Sequence, residues 1–258
     1  MIMPHQLVTS TLNRRSNQMM TPLDHMLRAG SVAVVGASSR PGSVGELTLR
    51  QLRDGGFKGS IYPVNPGHDS LLELRCHPDI GSIGENIDLA VLAVSNSHLE
   101  SEVEKAVAAG ARALAIYASC HGTAGDGRPL REKIRDLAEE AGAPICGGNG
   151  MGFINVEDNL RVCGFYQPED LRPGGIVFLS HSGSLFSAML HNGRGLAFNL
   201  AVSTGLEINT SMSDYLNWAL ELESTSVVAM FMETVRDPDG LVMDERRDNS
   251  RPHPTSGE

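Results

Sequence analysis

Ser31-Val-Ala-Val-Val-Gly36 is a β-branched run that ends on glycine and enters a loop of small residues, Ala37-Ser38-Ser39-Arg40-Pro41-Gly42-Ser43-Val44-Gly45. Glycines at 36, 42 and 45 let backbone N–H groups approach a ligand with no Cβ between them. The helical pattern that follows, from Gly45 to Asp54, aims its positive end at the same loop. Loop and helix start together make a seat for a phosphate or pyrophosphate. It is not a P-loop, since no Lys-Ser/Thr pair follows, and its spacing is not Gly-x-Gly-x-x-Gly. The second strand, residues 60–65, ends on Asn65-Pro66 without the Asp or Glu that would hold the ribose of NAD. The residues therefore point to a nucleotide-like ligand other than NAD, against the plainer alternative of a structural turn in an α/β domain.

A second constellation is Ser180-His181-Ser182-Gly183-Ser184, between the apolar run 176–179 and a helical pattern over 185–192. Its hydroxyls and the first amides of the helix suit a transferring phosphoryl group. A serine-hydrolase elbow would need Gly-x-Ser-x-Gly, which is absent here. The competing reading is a helix-capping turn with an incidental histidine.

The elements that must carry these loops alternate regularly. Buried-strand runs are expected at 31–35, 60–65, 88–94, 112–117 and 144–147, with helices over 45–54, 97–109 and 129–140. Ser97 with Glu100 forms a capping-box pattern, and Gly110 is a natural helix stop. Such alternation predicts a doubly wound parallel sheet with ligand loops at the carboxyl ends of its strands. The loops at Gly36–Gly45, Asn65-Pro66, Val94-Ser95-Asn96, Ser119-Cys120-His121 and Gly147–Gly152 all fall there. Residues 156–174, rich in proline and glycine and without a clear period, read as a domain boundary. A second α/β unit follows with strands expected at 176–179, 200–203 and 226–232, a small core for only three strands. The expected division is an extension over 1–22, a first domain over 23–170, a second over 171–237 and a tail over 238–258. Both ends are polar enough to be disordered.

The totals exclude several classes. A formal charge of −10 over 258 residues argues against a nucleic-acid partner. No apolar run has the length of a membrane span, and Met1–Met20 has no secretory pattern. The four cysteines lack Cys-x-x-Cys spacing, so neither zinc nor a disulfide framework is expected, and a reduced, cytoplasmic setting is.

Four ordered motifs, Ser31–Gly45, Ile61-Tyr-Pro-Val-Asn-Pro66, Asp88-Leu-Ala-Val-Leu-Ala-Val94 and Gly147-Gly-Asn-Gly-Met-Gly-Phe-Ile-Asn155, resemble the CoA-binding domain of the NDP-forming acyl-CoA synthetases, relatives of the succinyl-CoA synthetase α subunit. The resemblance runs from about Leu23 to about Pro238. It implies a Rossmann-like domain followed by a partial flavodoxin-like domain. It further implies coenzyme A as cofactor, held by Gly36, Ser38, Ser39, Arg40, Gly42, Ser43, Val44, Gly45, Asn65, Pro66, Val94 and Ser95, with the thiol near Asn149. Ser180, His181, Ser182, Gly183 and Ser184 become a phosphate station, with His181 where the family commonly has Gln. Glu233 matches the glutamate that holds the family's phosphohistidine, and Glu207 is the lesser acidic candidate.

The implied reaction interchanges a carboxylic acid, CoA and NTP with acyl-CoA, NDP and phosphate through that phosphohistidine. ATP or GTP with Mg would come through an ATP-grasp portion, on a β subunit or elsewhere in a homo-oligomer. The sequence departs from the family in several places. Gly148 and Gly150 replace a proline and a cysteine, Gly67-His68 replace a lysine, and no histidine in a Gly/Ser-rich loop follows Glu233; His253 does not match it. The chain is thus expected to be incomplete by itself. The alternative is a non-catalytic CoA- or acyl-CoA-binding regulatory module.

Overall fold

The computed structural model describes residues 20–241. Most of the extension and tail expected to be disordered therefore lies outside the described residues. The described chain begins with helix α1, Pro22–Leu27, entered through a capping box between Thr21 and Asp24 with proline in the first turn. Strands β1 (Ser31–Val35), β2 (Ser60–Val64), β5 (Leu89–Leu92), β6 (Ala113–Ile116) and β7 (Ile145–Gly147) form a parallel sheet in the order β2-β1-β5-β6-β7. β1, β5 and β6 are buried at every position, which is why each reads as an unbroken apolar run. Helices α2 (Val44–Asp54), α3 (Asn96–Ala108) and α4 (Leu130–Glu140) make the crossovers. A two-stranded ribbon, β3 (Ser70–Leu71) with β4 (Leu74–Arg75), and a 3-10 turn, Ile80–Ile83, fill the link from β2 to β5.

The capping box expected at Ser97 does not form. Ser95 is the N-cap of α3, without a side-chain bond, and Glu100 instead accepts the Gly125 amide at 2.8 Å. The N-cap lies two residues earlier because β5 ends at Leu92, two residues short of the end of the apolar run.

The stretch expected to be a boundary contains strand. β8 (Gly152–Asn155) and β9 (Leu160–Cys163) form an antiparallel hairpin that joins the second sheet. That sheet is mixed and five-stranded, β12-β10-β11-β8-β9, with β10 (Ile176–Ser180), β11 (Phe198–Ser203) and β12 (Val227–Phe231) parallel and β8 antiparallel to β11. The second unit thus has a wider sheet than three strands, borrowed from the end of the first. Helices α5 (Gly183–Leu190) and α6 (Met212–Leu220) flank it, and a helical turn α7, Pro238–Leu241, stands where the tail was expected to begin.

One core runs through both units. Val34 and Val91 of the first sheet share it with Phe153, Leu179 and Val202 of the second and with Tyr215 and Trp218 of α6. Each fully buried aliphatic or aromatic side chain contributes roughly 1.5–3 kcal/mol, so the units cohere through packing as well as through the chain. Separate clusters lie under α3 and α4, and under α5. Asn155 Nδ2 donates to the Leu27 carbonyl at 2.8 Å, fixing the end of α1 to the hairpin. Trp218 Nε1 donates to Asp24 Oδ1 at 3.0 Å, and the Arg28 guanidinium lies 5.1 Å from the Trp218 ring.

Two predictions arise from this packing. Burial raises the Asp24 carboxyl, but hydrogen bonds from Thr21 and Trp218 and the charge of Arg28 outweigh it and hold the group below its ordinary value. The stabilisation of α1 is therefore present above the unfolded value of about 3.9 and is lost as pH falls through the lower folded value. The chain has one tryptophan. Its emission is expected to shift as pH drops below about 4, and Asp24→Ala is expected to show the shifted spectrum at neutral pH with no acid step. An unchanged spectrum in the variant would show that packing alone docks α1. The second prediction concerns the four free, buried cysteines. Burial pushes Cys120 up to about 11, Cys146 to about 12 and Cys163 to about 11, and raises Cys76. A chromogenic disulfide reagent at about pH 8 is expected to titrate no thiol quickly in the native chain and all four in denaturant, where their value is about 8.5. Rapid reaction of the native chain would contradict this burial.

Candidate functional site

The carboxyl ends of both sheets finish flush, and the singled-out residues sit on them. Val35, Val64 and Leu92 are register partners at the end of the first sheet, and Ser180, Ser203 and Phe231 at the end of the second. Loops leaving these rows necessarily emerge side by side.

At the first sheet, the β1–α2 turn contains glycines with distinct duties. A Cβ on Gly36 would lie 2.5 Å from the Ala93 carbonyl oxygen, and one on Gly45 would lie 2.2 Å from the Gly36 carbonyl oxygen. Both glycines are required by strand and helix packing. Gly42 has φ of 75° and no atom within 4 Å of an added Cβ, so it opens toward solvent. Val94 packs over Gly36.

Polar groups hold the turn in shape. Ser38 Oγ accepts the Arg40 amide at 3.0 Å, and Glu46, nearly fully buried, accepts the Gly42 amide at 3.1 Å and pairs with Arg50. Asn65 bridges two loops, its Nδ2 donating to the Ala37 carbonyl at 2.6 Å and its Oδ1 accepting from Gly67 N at 2.8 Å. Ser39, Arg40, Pro66 and Ser95 are exposed, and Val44 packs beside Gly164. Ser43, the N-cap of α2, makes no side-chain capping bond, and its hydroxyl is buried without a partner.

Between the sheets the chain passes through Gly147–Gly152, where backbones meet at close range. An added Cβ on Gly148 would be 2.4 Å from Cys120 Sγ, on Gly150 2.7 Å from the Ser203 oxygen, and on Gly205 2.2 Å from the Gly148 oxygen. Asn149 N donates to Ala118 O at 2.8 Å and Leu206 N to Gly148 O at 2.8 Å. Asn149 itself has φ of 55° and is exposed. Asn96 joins the neighbouring loop, donating to Ser119 Oγ at 2.8 Å and accepting from Cys120 N at 3.0 Å. Cys120 fills the space that a side chain at Gly148 would occupy.

At the second sheet, the turn after β10 is braced from within. Ser180 Oγ donates to the Ser182 carbonyl at 2.9 Å and accepts from Ser182 N at 3.1 Å, while Ser182 Oγ caps α5 by accepting from Leu185 N at 3.3 Å. Those two hydroxyls are used by the turn itself, leaving the exposed Ser184 and the first amides of α5 for a ligand. Gly183 abuts Met151, an added Cβ lying 2.9 Å from its Cγ. The turn therefore touches the glycine crossing two residues beyond Asn149.

The two acidic candidates occupy different settings. Glu207 has φ of 51° and a side chain only 2 % exposed; its Oε1 lies 2.7 Å from His181 Nε2 and its Oε2 3.6 Å from Arg236 Nε. Glu233 is exposed, and it is its backbone N–H that engages the site, donating to His181 Nδ1 at 3.0 Å. Residue types alone did not reveal the contribution of Arg236 or of Thr204, whose hydroxyl is buried and unpartnered beside this loop.

Residues 30–155 match the model of a CoA binding domain, and residues 173–251 that of a succinyl-CoA ligase-like flavodoxin domain. The second match extends past Pro238, beyond the last apolar run of the sequence. A trans-feruloyl-CoA synthase from an unknown prokaryotic organism is 36 % identical over 247 residues, covering 91 % of this chain and 34 % of the relative. The α subunit of an ADP-forming acetate–CoA ligase I from Pyrococcus furiosus is 26 % identical, covering 83 % of this chain and 48 % of the subunit. Among solved structures, a dinucleotide-forming acetyl-coenzyme A synthetase 1 from Ca. Korarchaeum cryptofilum, in complex with phosphate and ADP, superposes with a TM-score of 0.76 at 26 % identity, over 84 % of this chain and 46 % of that one. The chain thus spans between a third and a half of the length of these relatives. With both domain models in the same order and this fold, the chain belongs to the NDP-forming acyl-CoA synthetase family.

Proposed function

We propose that the chain is the CoA-binding part of an NDP-forming acyl-CoA synthetase, working with a nucleotide-binding ATP-grasp portion carried by a partner subunit or another region. The name of the Pyrococcus furiosus relative, an α subunit, supports a divided enzyme. A cytoplasmic setting accords with four free cysteines, and among the described residues no helix is long and apolar enough to cross a membrane.

The observation that carries this reading is adjacency. The Ser180–Ser184 turn touches the glycine crossing at Met151, so a phosphoryl group on the turn and a thiol delivered near Asn149 would be neighbours. The β1–α2 turn fits the diphosphate of CoA on two counts. Ser43 offers a buried hydroxyl that lacks any partner, and Gly42 leaves open space with positive φ. Ser43, the amides at the start of α2 and the exposed Arg40 would hold the anion, and Pro66, Val94 and Ser95 border it. When bound, CoA supplies the thiol that accepts the acyl group. The chain's own residues would bind it, orient it and hold phosphate on α5, and Glu233, with Glu207 as the lesser candidate, would hold the phosphohistidine ring.

Calorimetric titration of the full chain tests the reading. CoA is expected to bind at micromolar strength and NADH not to bind, and Ser43→Ala is expected to weaken CoA about tenfold by removing one hydrogen bond to an anion. Preference for NADH would overturn the ligand class. CoA binding unaffected by Ser43→Ala would move the diphosphate away from this turn.

A further inference from the structure

His181 has both ring nitrogens engaged, and its two partners come from different strands. Nδ1 receives the Glu233 backbone N–H at 3.0 Å. A backbone amide can only donate, so Nδ1 must be the unprotonated acceptor and the proton resides on Nε2. Nε2–H then donates to Glu207 Oε1 at 2.7 Å, with both side chains at most 5 % exposed. One neutral imidazole therefore spans the ends of three neighbouring parallel strands, β10 by its own backbone, β11 through the loop bearing Glu207, and β12 through Glu233. The His181 amide adds a bond to Phe231 O at 3.1 Å and the Thr204 amide one to Ser180 O at 2.9 Å, so the ring closes a row already paired by backbone.

We propose that His181 is a positioning residue: as the Nε2–H tautomer it locks the ionised Glu207 carboxylate and the Glu233 strand end around the Ser180–Ser184 turn, and it does not accept a phosphoryl group itself. The inference rests on the phosphate role proposed above for that turn. An acceptor histidine needs an unshared nitrogen lone pair facing the donor. Here the Nδ1 pair is taken by a backbone amide, and Nε2 carries the proton that a buried carboxylate requires. Releasing Nε2 would leave the buried Glu207 carboxylate without its close partner. Arg236, on the other side of Glu207, is 44 % exposed and its Nε lies 3.6 Å away, too long for a direct hydrogen bond. His181 is therefore the close partner of the carboxylate. A glutamine at this position retains one acceptor and one donor, enough for the same two contacts, whereas leucine retains neither.

The test uses the full chain labelled with 15N-histidine. The chain has nine histidines, and His181 is assigned by the resonance missing from His181→Gln. The expected spectrum is a neutral Nε2–H ring with a slowly exchanging Nε2 proton; an Nδ1–H ring, or one exchanging freely with solvent, overturns the proposal. Inorganic phosphate is then titrated while amides of the turn are observed. His181→Leu is expected to weaken phosphate about tenfold, and His181→Gln to remain within about threefold of wild type. Equal losses in both variants, or none in His181→Leu, overturn the positioning role. CoA titration of the same samples checks that each variant is folded. If the wild-type chain binds CoA but no phosphate, the phosphate station itself falls, whereas a wrong tautomer with intact phosphate binding removes only the role of His181.

Discussion

The constraint on which the rest depends is the absence of room for side chains where the chain crosses between sheets. Gly148, Gly150 and Gly205 pack against Ala118, Cys120, Ser203 and one another, at distances that a Cβ would reduce below 3 Å. Backbone in such contact can also hydrogen-bond, and Leu206 N to Gly148 O, Asn149 N to Ala118 O and Met151 N to Ser203 Oγ do so. The crossing is thereby a joint with specified spacing, not a linker. A larger residue at any of the three glycines would wedge the loop of β11 away from that of β6, and the two groups of strand ends would part.

Cohesion of the rest follows from that joint. The chain emerges from it into β8, which pairs with β11 from Gly152–Ser203 to Asn155–Leu200, so a segment continuous with the first sheet becomes part of the second. The hairpin then carries Phe153, Leu160 and Val162 into the core shared with Leu49 and Leu52 of α2. The helix that caps the candidate CoA turn is thus backed by the second sheet, and Gly164 against Val44 marks the contact nearest its start. The first turn and the second sheet thus rest on one packed core.

The first sheet was readable because fully buried parallel strands leave an unbroken apolar record, and β1, β5 and β6 have no exposed position to interrupt it. The β8–β9 hairpin was not. β9 is short and carries Arg161, a charge that reads as loop, yet its guanidinium is buried and donates to Pro168 O at 2.9 Å and Glu169 O at 3.1 Å. Asn159 before it has φ of 53°, a turn that asparagine tolerates but does not announce. A domain boundary inferred from proline and glycine over 156–174 therefore covered β9, the second strand of the hairpin. The glycine turn, the serine-rich turn and the strand-end acids were legible as residue types, but which hydroxyl was already used inside its own turn was not, because that depends on side-chain rotation.

The acidic pair shows most clearly where residue identity stops being informative. Glu207 and His181 are 26 positions apart and meet only because β10 and β11 end in register. Glu233 reaches the same histidine through its amide, a contact any residue except proline could make. Its carboxylate is consequently not committed to the imidazole and stays at the exposed end of β12, whereas the Glu207 carboxylate is buried and held. A fixed acid beside an unfixed one is a division of labour that burial imposes: the ion withdrawn from water needs a partner supplied by the fold, and the ion left in water can meet a group that arrives from elsewhere.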